Sequence, residues 1–255
     1  MIICRLGRCE SIEDIWIDGE FYPKKIVCNP DAKEEAEKLE ERARLLRAKS
    51  FFSTNNDFMV FMNVRSLKKH WKDIEIDPEF NQCKLLGLSE TWLNKDESIG
   101  LQSFPVAEFE NAGNVRGTAV FAKDLFLKVK KESGTTFSLI SVDMSFCVGV
   151  LRVINVYLSQ KADYHDFLYK LRPELSKDIP TILIGDMNFH YSEGKHVVKD
   201  YLEDTGFKQM IHKATHDDGN TIDHLYVYPR DLLADGAIYL KTLYFSDHDA
   251  ICIRV

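Results

Sequence analysis

The 255 residues carry a net charge of −7 and a pI near 5.7, with 45% hydrophobic and 29% charged residues. That balance fits a globular chain of one large domain, or a domain with an appendage, and excludes a generally basic coat for nucleic acid. It leaves room for an enzyme acting on nucleic acid, because metal ions and a local basic groove can meet the phosphates. The six cysteines are scattered with no CxxC pair, which points to reduced thiols rather than a zinc or disulfide framework. Met1-Ile2-Ile3-Cys4-Arg5 lacks the apolar core of a signal peptide, and no stretch is long enough to span a membrane. The expected compartment is the nucleus or the cytoplasm.

In chain order, residues 1–52 form a first region. Ile15-Trp16-Ile17 and Lys25-Ile26-Val27 are short strand-like pieces around Asp18-Gly19. Pro30-Asp31 then opens a charged helix over 32–49, whose stripe of Ala36, Leu39, Ala43 and Leu46 is narrow. The run from Arg8 to Trp16, with Phe21-Tyr22-Pro23-Lys24-Lys25-Ile26 and Asn29-Pro30, resembles the carboxyl-terminal end of Pif-type DNA helicases. A plain hairpin and helix decorating the main domain fits the same residues. No GxxxxGK(S/T) phosphate loop occurs, so this chain is not expected to hydrolyse ATP.

Ser53-Thr54-Asn55-Asn56-Asp57 is a polar break, and a second domain is expected over 58–255. Strands are predicted at 58–64, 84–89, 117–123, 126–131, 136–144, 147–157, 180–185, 221–228, 238–245 and 249–255, with helices at 164–177 and 195–205. Many strands and few helices predict an α/β fold of two packed, mostly antiparallel sheets flanked by helices.

The chemistry concentrates at strand ends. The run Ile182-Leu183-Ile184 stops at Gly185, and Asp186 and Asn188 then lie two positions apart, on one side of an extended backbone. Other strand ends carry Asn63, Glu90, Asn155 with Tyr157, Asp223, and Asp247 with His248. Singly, each has a plain explanation: a turn cap, a helix start, a core tyrosine, a salt-bridged surface histidine. His70, His165, His190, His196, His212, His216 and His224 show no metal-ligand spacing and read as surface groups or supports.

Together, the order Asn, Glu, Tyr, Asp-x-Asn, Asp, Asp-His carries a specific pattern. With it come Ser89-Glu90-Thr91-Trp92-Leu93, Arg116-Gly117-Thr118-Ala119-Val120 and Gly219-Asn220-Thr221-Ile222-Asp223. The pattern resembles the endonuclease/exonuclease/phosphatase superfamily, of DNase I-like fold, in its retroelement and apurinic-endonuclease branch. The resemblance spans residues 58–255 and implies a four-layered α/β sandwich with its active site at one rim of the paired sheets. It implies Glu90 as the principal ligand of Mg²⁺ or Mn²⁺, with Asn63 and Asp247 near the metal. Asp186 and Asn188 would orient the attacking water and hold the scissile phosphate. Asp223 would hold His248, Tyr157 would contact the phosphate or the leaving oxygen, and Asn155 would support the site toward substrate.

Phosphodiester cleavage asks for these groups on its own terms. A hard cation favours oxygen ligands such as Glu90 and Asp247, and it neutralises charge on phosphoryl and leaving oxygens. A water needs a positioned acceptor, which Asp186 supplies. Histidine paired to aspartate has its tautomer fixed and its charged form favoured, so His248 can be a donor to phosphate or a base.

Arg65-Ser66-Leu67 stands where apurinic-type relatives place an acidic residue, which argues against a second metal, and short loops argue against abasic-site specificity. Arg116 with Lys123, Lys128, Lys130 and Lys131 forms one candidate DNA flank, and Lys195 with Lys199 another, although alternating lysines also suit a solvated face. Thr215-His216-Asp217-Asp218-Gly219 is read as a rim loop whose threonine touches a phosphate. The expected function is Mg²⁺-dependent DNA endonuclease action leaving a 3′-hydroxyl, by a monomer derived from a Helitron-like transposon with an upstream helicase domain. The alternatives are a phosphomonoesterase or RNase of the same superfamily, or an inactive binding remnant.

Overall fold

Runs of apolar, β-branched residues cut by turn residues build this chain into strands. The computed structural model describes residues 15–17 and 20–22 by backbone alone, and 57–111, 116–192, 194–234 and 236–255 in full. Two units separate, Met1–Ser53 and Thr54–Val255. In the first, β1 (Ile15–Ile17) and β2 (Glu20–Tyr22) pair antiparallel, with Ile17 opposite Glu20. The expected strand at 25–27 and helix at 32–49 lie outside the described residues.

The second unit begins with β3 (Phe58–Asn63), α1 (Leu67–Ile76), β4 (Leu85–Ser89), β5 (Val106–Glu110) and β6 (Thr118–Ala122). It continues through β7 (Lys128–Ser133), β8 (Phe137–Phe146), β9 (Gly149–Leu158), α2 (Tyr164–Leu171) and β10 (Thr181–Asp186). The last elements are α3 (Val197–Asp204), β11 (Lys208–Gln209), β12 (Asp223–Tyr228), β13 (Ile238–Lys241) and β14 (Ala250–Arg254). Two six-stranded sheets result, in the orders β13-β14-β3-β4-β6-β5 and β11-β12-β10-β9-β8-β7.

Each sheet is antiparallel except for one parallel pair at its centre, β3–β4 in the first and β9–β10 in the second. Strands β3, β4, β6 and β10 are buried at every position, as the uninterrupted apolar runs dictate, whereas β5 is an edge strand and half-buried throughout. Met59, Phe61 and Val120 from one sheet meet Ile140, Val153, Ile182 and Leu225 from the other in the central core. The opposite face of the second sheet, with Ile154, Leu183 and Tyr226, is covered by Phe167 and Leu171 of α2 and by Val198 and Leu202 of α3.

Four elements are absent from the sequence-based expectation: β2, α1, β5 and the two-residue β11. α1 has no side-chain N-cap bond at Ser66 and no acid in its first turn, so the usual start signals are missing. β5 lies at an edge with neither face fully buried, which blunts its pattern. The second helix is shorter than predicted: α2 ends at Leu171, followed by one 3₁₀ turn at Arg172–Glu174. Among the described residues no helix is long and apolar enough to cross a membrane. Cys83 and Cys252 are buried free thiols, and Cys147 is exposed.

Candidate active site

The two parallel pairs explain where the polar groups meet. Parallel neighbours end at the same edge, so β3 and β4 release Asn63 and Glu90 together, and β9 and β10 release Tyr157 and Asp186. β12 and β14 run the other way, so Asp223, and the Asp247-His248 pair just before β14, begin at that edge. Asp186 stands in register with both Tyr157 and Asp223.

The turns at this edge are held in unusual backbone geometry. Arg65, Ser66, Glu90, Trp92 and Asn188 all have positive φ, and all lie directly after β3, β4 or β10. Such conformations cost roughly 1–3 kcal/mol each for a non-glycine residue and persist only where the surroundings over-determine them. Here cross-turn bonds do so: Ser66 N donates to Glu90 O at 2.9 Å and Trp92 N to Arg116 O at 2.8 Å. Gly185 is obligatory, because a Cβ there would lie 1.9 Å from the carbonyl oxygen of Val156.

A buried line of polar groups crosses from one sheet to the other. Asn63 Nδ2 donates to Asp186 Oδ2 at 2.9 Å, while Asn63 Oδ1 accepts from Arg65 N at 3.0 Å. The same Nδ2 lies 3.3 Å from His248 Nε2, and His248 Nδ1 is 2.8 Å from Asp223 Oδ2. Asn188 N donates to Asp186 Oδ1 at 3.0 Å, and its own amide donates to Leu158 O at 2.8 Å. Ser246 Oγ donates to Asn63 O at 2.7 Å, fixing the approach of the Asp247-His248 turn.

Charge is concentrated here. Burial, then Asp223 and Glu90, push the Asp186 carboxyl well above the usual carboxylate range, against the pull of His248. Burial alone would lower His248, but the charge and hydrogen bond of Asp223, with Asp186 and Asp247, carry it up to about 9. Burial and the neighbouring Glu90 also raise Tyr157, which stays a neutral phenol.

The residues fit a hard cation. Asp247 Oδ1 is buried without a hydrogen-bond partner, and its Oδ2 is met by Arg65. Asp186, Asp223 and His248 bring ligand atoms within 4.8 Å of one another, as do His216, Asp247 and His248. Glu90 is outside both groups: Arg116 Nη1 holds Oε1 at 2.6 Å and Trp92 Nε1 holds Oε2 at 3.1 Å. Each group mixes carboxylate oxygens with imidazole nitrogens, a donor set that can hold a divalent metal ion.

Several residues stand elsewhere than expected. Thr215 is buried and accepts from Asp223 N at 3.1 Å, so it positions the aspartate rather than facing a phosphate. Asn155 points across the sandwich, donating to Leu88 O at 2.9 Å and Ala119 O at 3.1 Å; it ties the sheets together behind the site. Arg116 serves Glu90, and on the same flank Lys130 pairs with Glu174 and Lys131 with Glu108. His216 was not singled out, yet its ring meets His248 edge-on at 4.8 Å and its Nε2 is 3.4 Å from Asp247. The rim-loop motif was its one signal. His224 is fully buried, not a surface group.

Solved structures share this architecture. The 3′ phosphatase NExo from Neisseria, bound to a product DNA hairpin, aligns with a TM-score of 0.59 and 17% identity over 78% of this chain and 98% of its own. The endonuclease domain of TRAS1, a telomere-specific non-LTR retrotransposon, gives 0.57 and 13% over 78% and 98%. An AP endonuclease from Archaeoglobus fulgidus gives 0.58 and 15% over 77% and 98%. Identities this low show a common fold, the DNase I-like sandwich. Comparison with curated proteins finds no match. The sequence model of the Endonuclease/Exonuclease/phosphatase family matches residues 38–248.

Proposed function

The chain belongs to the endonuclease/exonuclease/phosphatase family, and from that premise we propose that it hydrolyses DNA phosphodiesters as an endonuclease, leaving a 3′-hydroxyl. The observation that carries this reading is the buried line Asp223–His248–Asn63–Asp186 beside the unsatisfied oxygen of Asp247. Asp186, with its raised proton affinity, orients the attacking water and takes its proton. His248 carries a proton at neutral pH, so its Nε2 and the Asn63 amide are two donors 3.3 Å apart. A phosphoryl oxygen placed between them accepts from both and gains most as charge develops. Asp223 fixes the ring from the far side, and the neutral Tyr157 phenol, beside Glu90, Arg116 and Asp186, is a donor for the phosphate or the leaving oxygen. Asn188 fixes Asp186 through its backbone N–H.

Glu90 and Asp247, with Asn63 beside them, would hold Mg²⁺ or Mn²⁺. When bound, the ion supplies positive charge against the phosphoryl and leaving oxygens. The resemblance of residues 8–30 to a Pif-type helicase tail, and the fold shared with a retrotransposon endonuclease, support a transposon-derived chain that works beside a helicase domain. The test is nicking of supercoiled plasmid with Mg²⁺ and with EDTA. Nicked circles with 3′-hydroxyl ends in Mg²⁺ only, and none from Asp186→Asn, are expected; intact plasmid in both buffers would refute the proposal. A second reading, removal of a terminal 3′-phosphate, is favoured by the fold shared with a 3′ phosphatase. Release of inorganic phosphate from a 3′-phosphorylated oligonucleotide without internal cuts selects it.

A further inference from the structure

Beside Asp247 an open groove of about 470 Å³ runs between the start of α1 and the turn before β14. Its volume lies within the roughly 300–1,000 Å³ of sites that take a small organic group. Arg65, Lys69 and Trp92 stand on one side, and Tyr244 and Phe245 on the other. We infer that this groove takes an unpaired nucleotide of a DNA strand next to the scissile phosphate, an assignment that rests on the proposed hydrolysis of DNA.

Three observations carry it. Trp92 is 39% exposed and Tyr244 78% exposed, which is unusual for large rings; Arg116 and Lys69 lie over the Trp92 ring at 5.5 and 5.9 Å, so a base stacks on the largely exposed Tyr244 ring or displaces one of these cations from Trp92. A paired base hides both faces in the duplex stack, so only an unpaired one can use these rings. The walls are also braced. Phe245 stacks on His70 with centroids 5.0 Å apart and planes 17° apart, and His70 and the Tyr244 hydroxyl both bond Asp73. Finally, a cation stands beside the groove. Lys130 and Lys131 of the other candidate flank are engaged by carboxylates. The Lys69 ammonium carries no ion pair among the described residues and sits 5.9 Å from the Trp92 ring centroid, beside the groove. A phosphate following a base stacked on Trp92 meets it there.

The test is fluorescence anisotropy in EDTA, with a labelled single-stranded oligonucleotide and a blunt duplex of the same sequence. The single strand is expected to bind more tightly than the duplex. Tyr244→Ala and Lys69→Ala, both at exposed positions, should each weaken it roughly tenfold while leaving duplex affinity unchanged. Equal affinity for the two forms, or single-strand affinity unaltered in both variants, overturns the assignment. Binding is read without turnover, so the two readings fail separately. Plasmid nicking with no single-strand preference removes the groove assignment alone, whereas loss of nicking removes the proposed function.

Discussion

The amide of Asn63 donates to Asp186 at 2.9 Å, joining the ends of central strands from two different sheets across 123 residues of sequence. This bond places an uncharged donor against a carboxylate whose proton affinity burial raises. Asn63→Ala should therefore cut turnover roughly 10- to 100-fold, as losses of a positioning partner do. Plasmid-nicking rates on a variant with unchanged melting temperature check this.

Asp223 and His248 act as one unit through a 2.8 Å contact. Either Asp223→Ala or His248→Ala should lower kcat on the order of 10²–10⁴-fold. The double variant should be scarcely worse than the single ones, since groups that work together are not additive. Losses that multiply in the double variant would show that the two act independently.

Acid stability should depend on His224. Its Nε2 donates to Phe189 O at 2.9 Å and its Nδ1 faces the Tyr226 hydroxyl at 3.4 Å, an arrangement that satisfies the neutral ring. Burial holds its pKa down to about 4, against an ordinary 6.5. A depressed base binds protons more readily when unfolded, so its contribution is full above pH 6.5 and is lost as pH falls toward 4. The loss amounts to about 3 kcal/mol. Urea unfolding at pH 7 and pH 4.5 measures it, and His224→Gln should flatten that part of the pH profile.

Arg152 and Asp143 form a buried two-pronged pair at 2.7 and 2.9 Å, with Arg152 also donating to Glu174 O at 3.0 Å. Arg152→Ala strands Asp143 without its partner and should cost roughly 3–5 kcal/mol of stability. Thermal melting checks this. The pair is remote from the polar rim, so per-molecule turnover of folded protein should hold.

The sandwich was legible because its central strands are apolar runs, and the site because carboxylates and amides at strand ends have no place in an apolar pattern. Asn63, Asp186, Asp223 and His248, which the fold links in one line, each stand out in this way. What stayed hidden depends on pairing between distant loops. Asp217 N bonds Asp247 O and Asp249 N bonds Thr215 O, which turns His216 toward His248 and Thr215 toward Asp223; no local periodicity encodes that. His224 was readable in principle. Strand alternation from Asp223 puts it on the helix-covered face with Tyr226, where a histidine must be neutral and bonded.

In the proposed reaction Glu90 and Asp247, from separate loops, share one divalent ion. Calorimetric titration of the full chain with Mg²⁺, and of Asp247→Asn and Glu90→Gln, measures this binding without turnover. One site per chain in the parent, with affinity lost or sharply weakened in both variants, is the predicted result. Heats that are absent in the parent, or unchanged by either substitution, would contradict it.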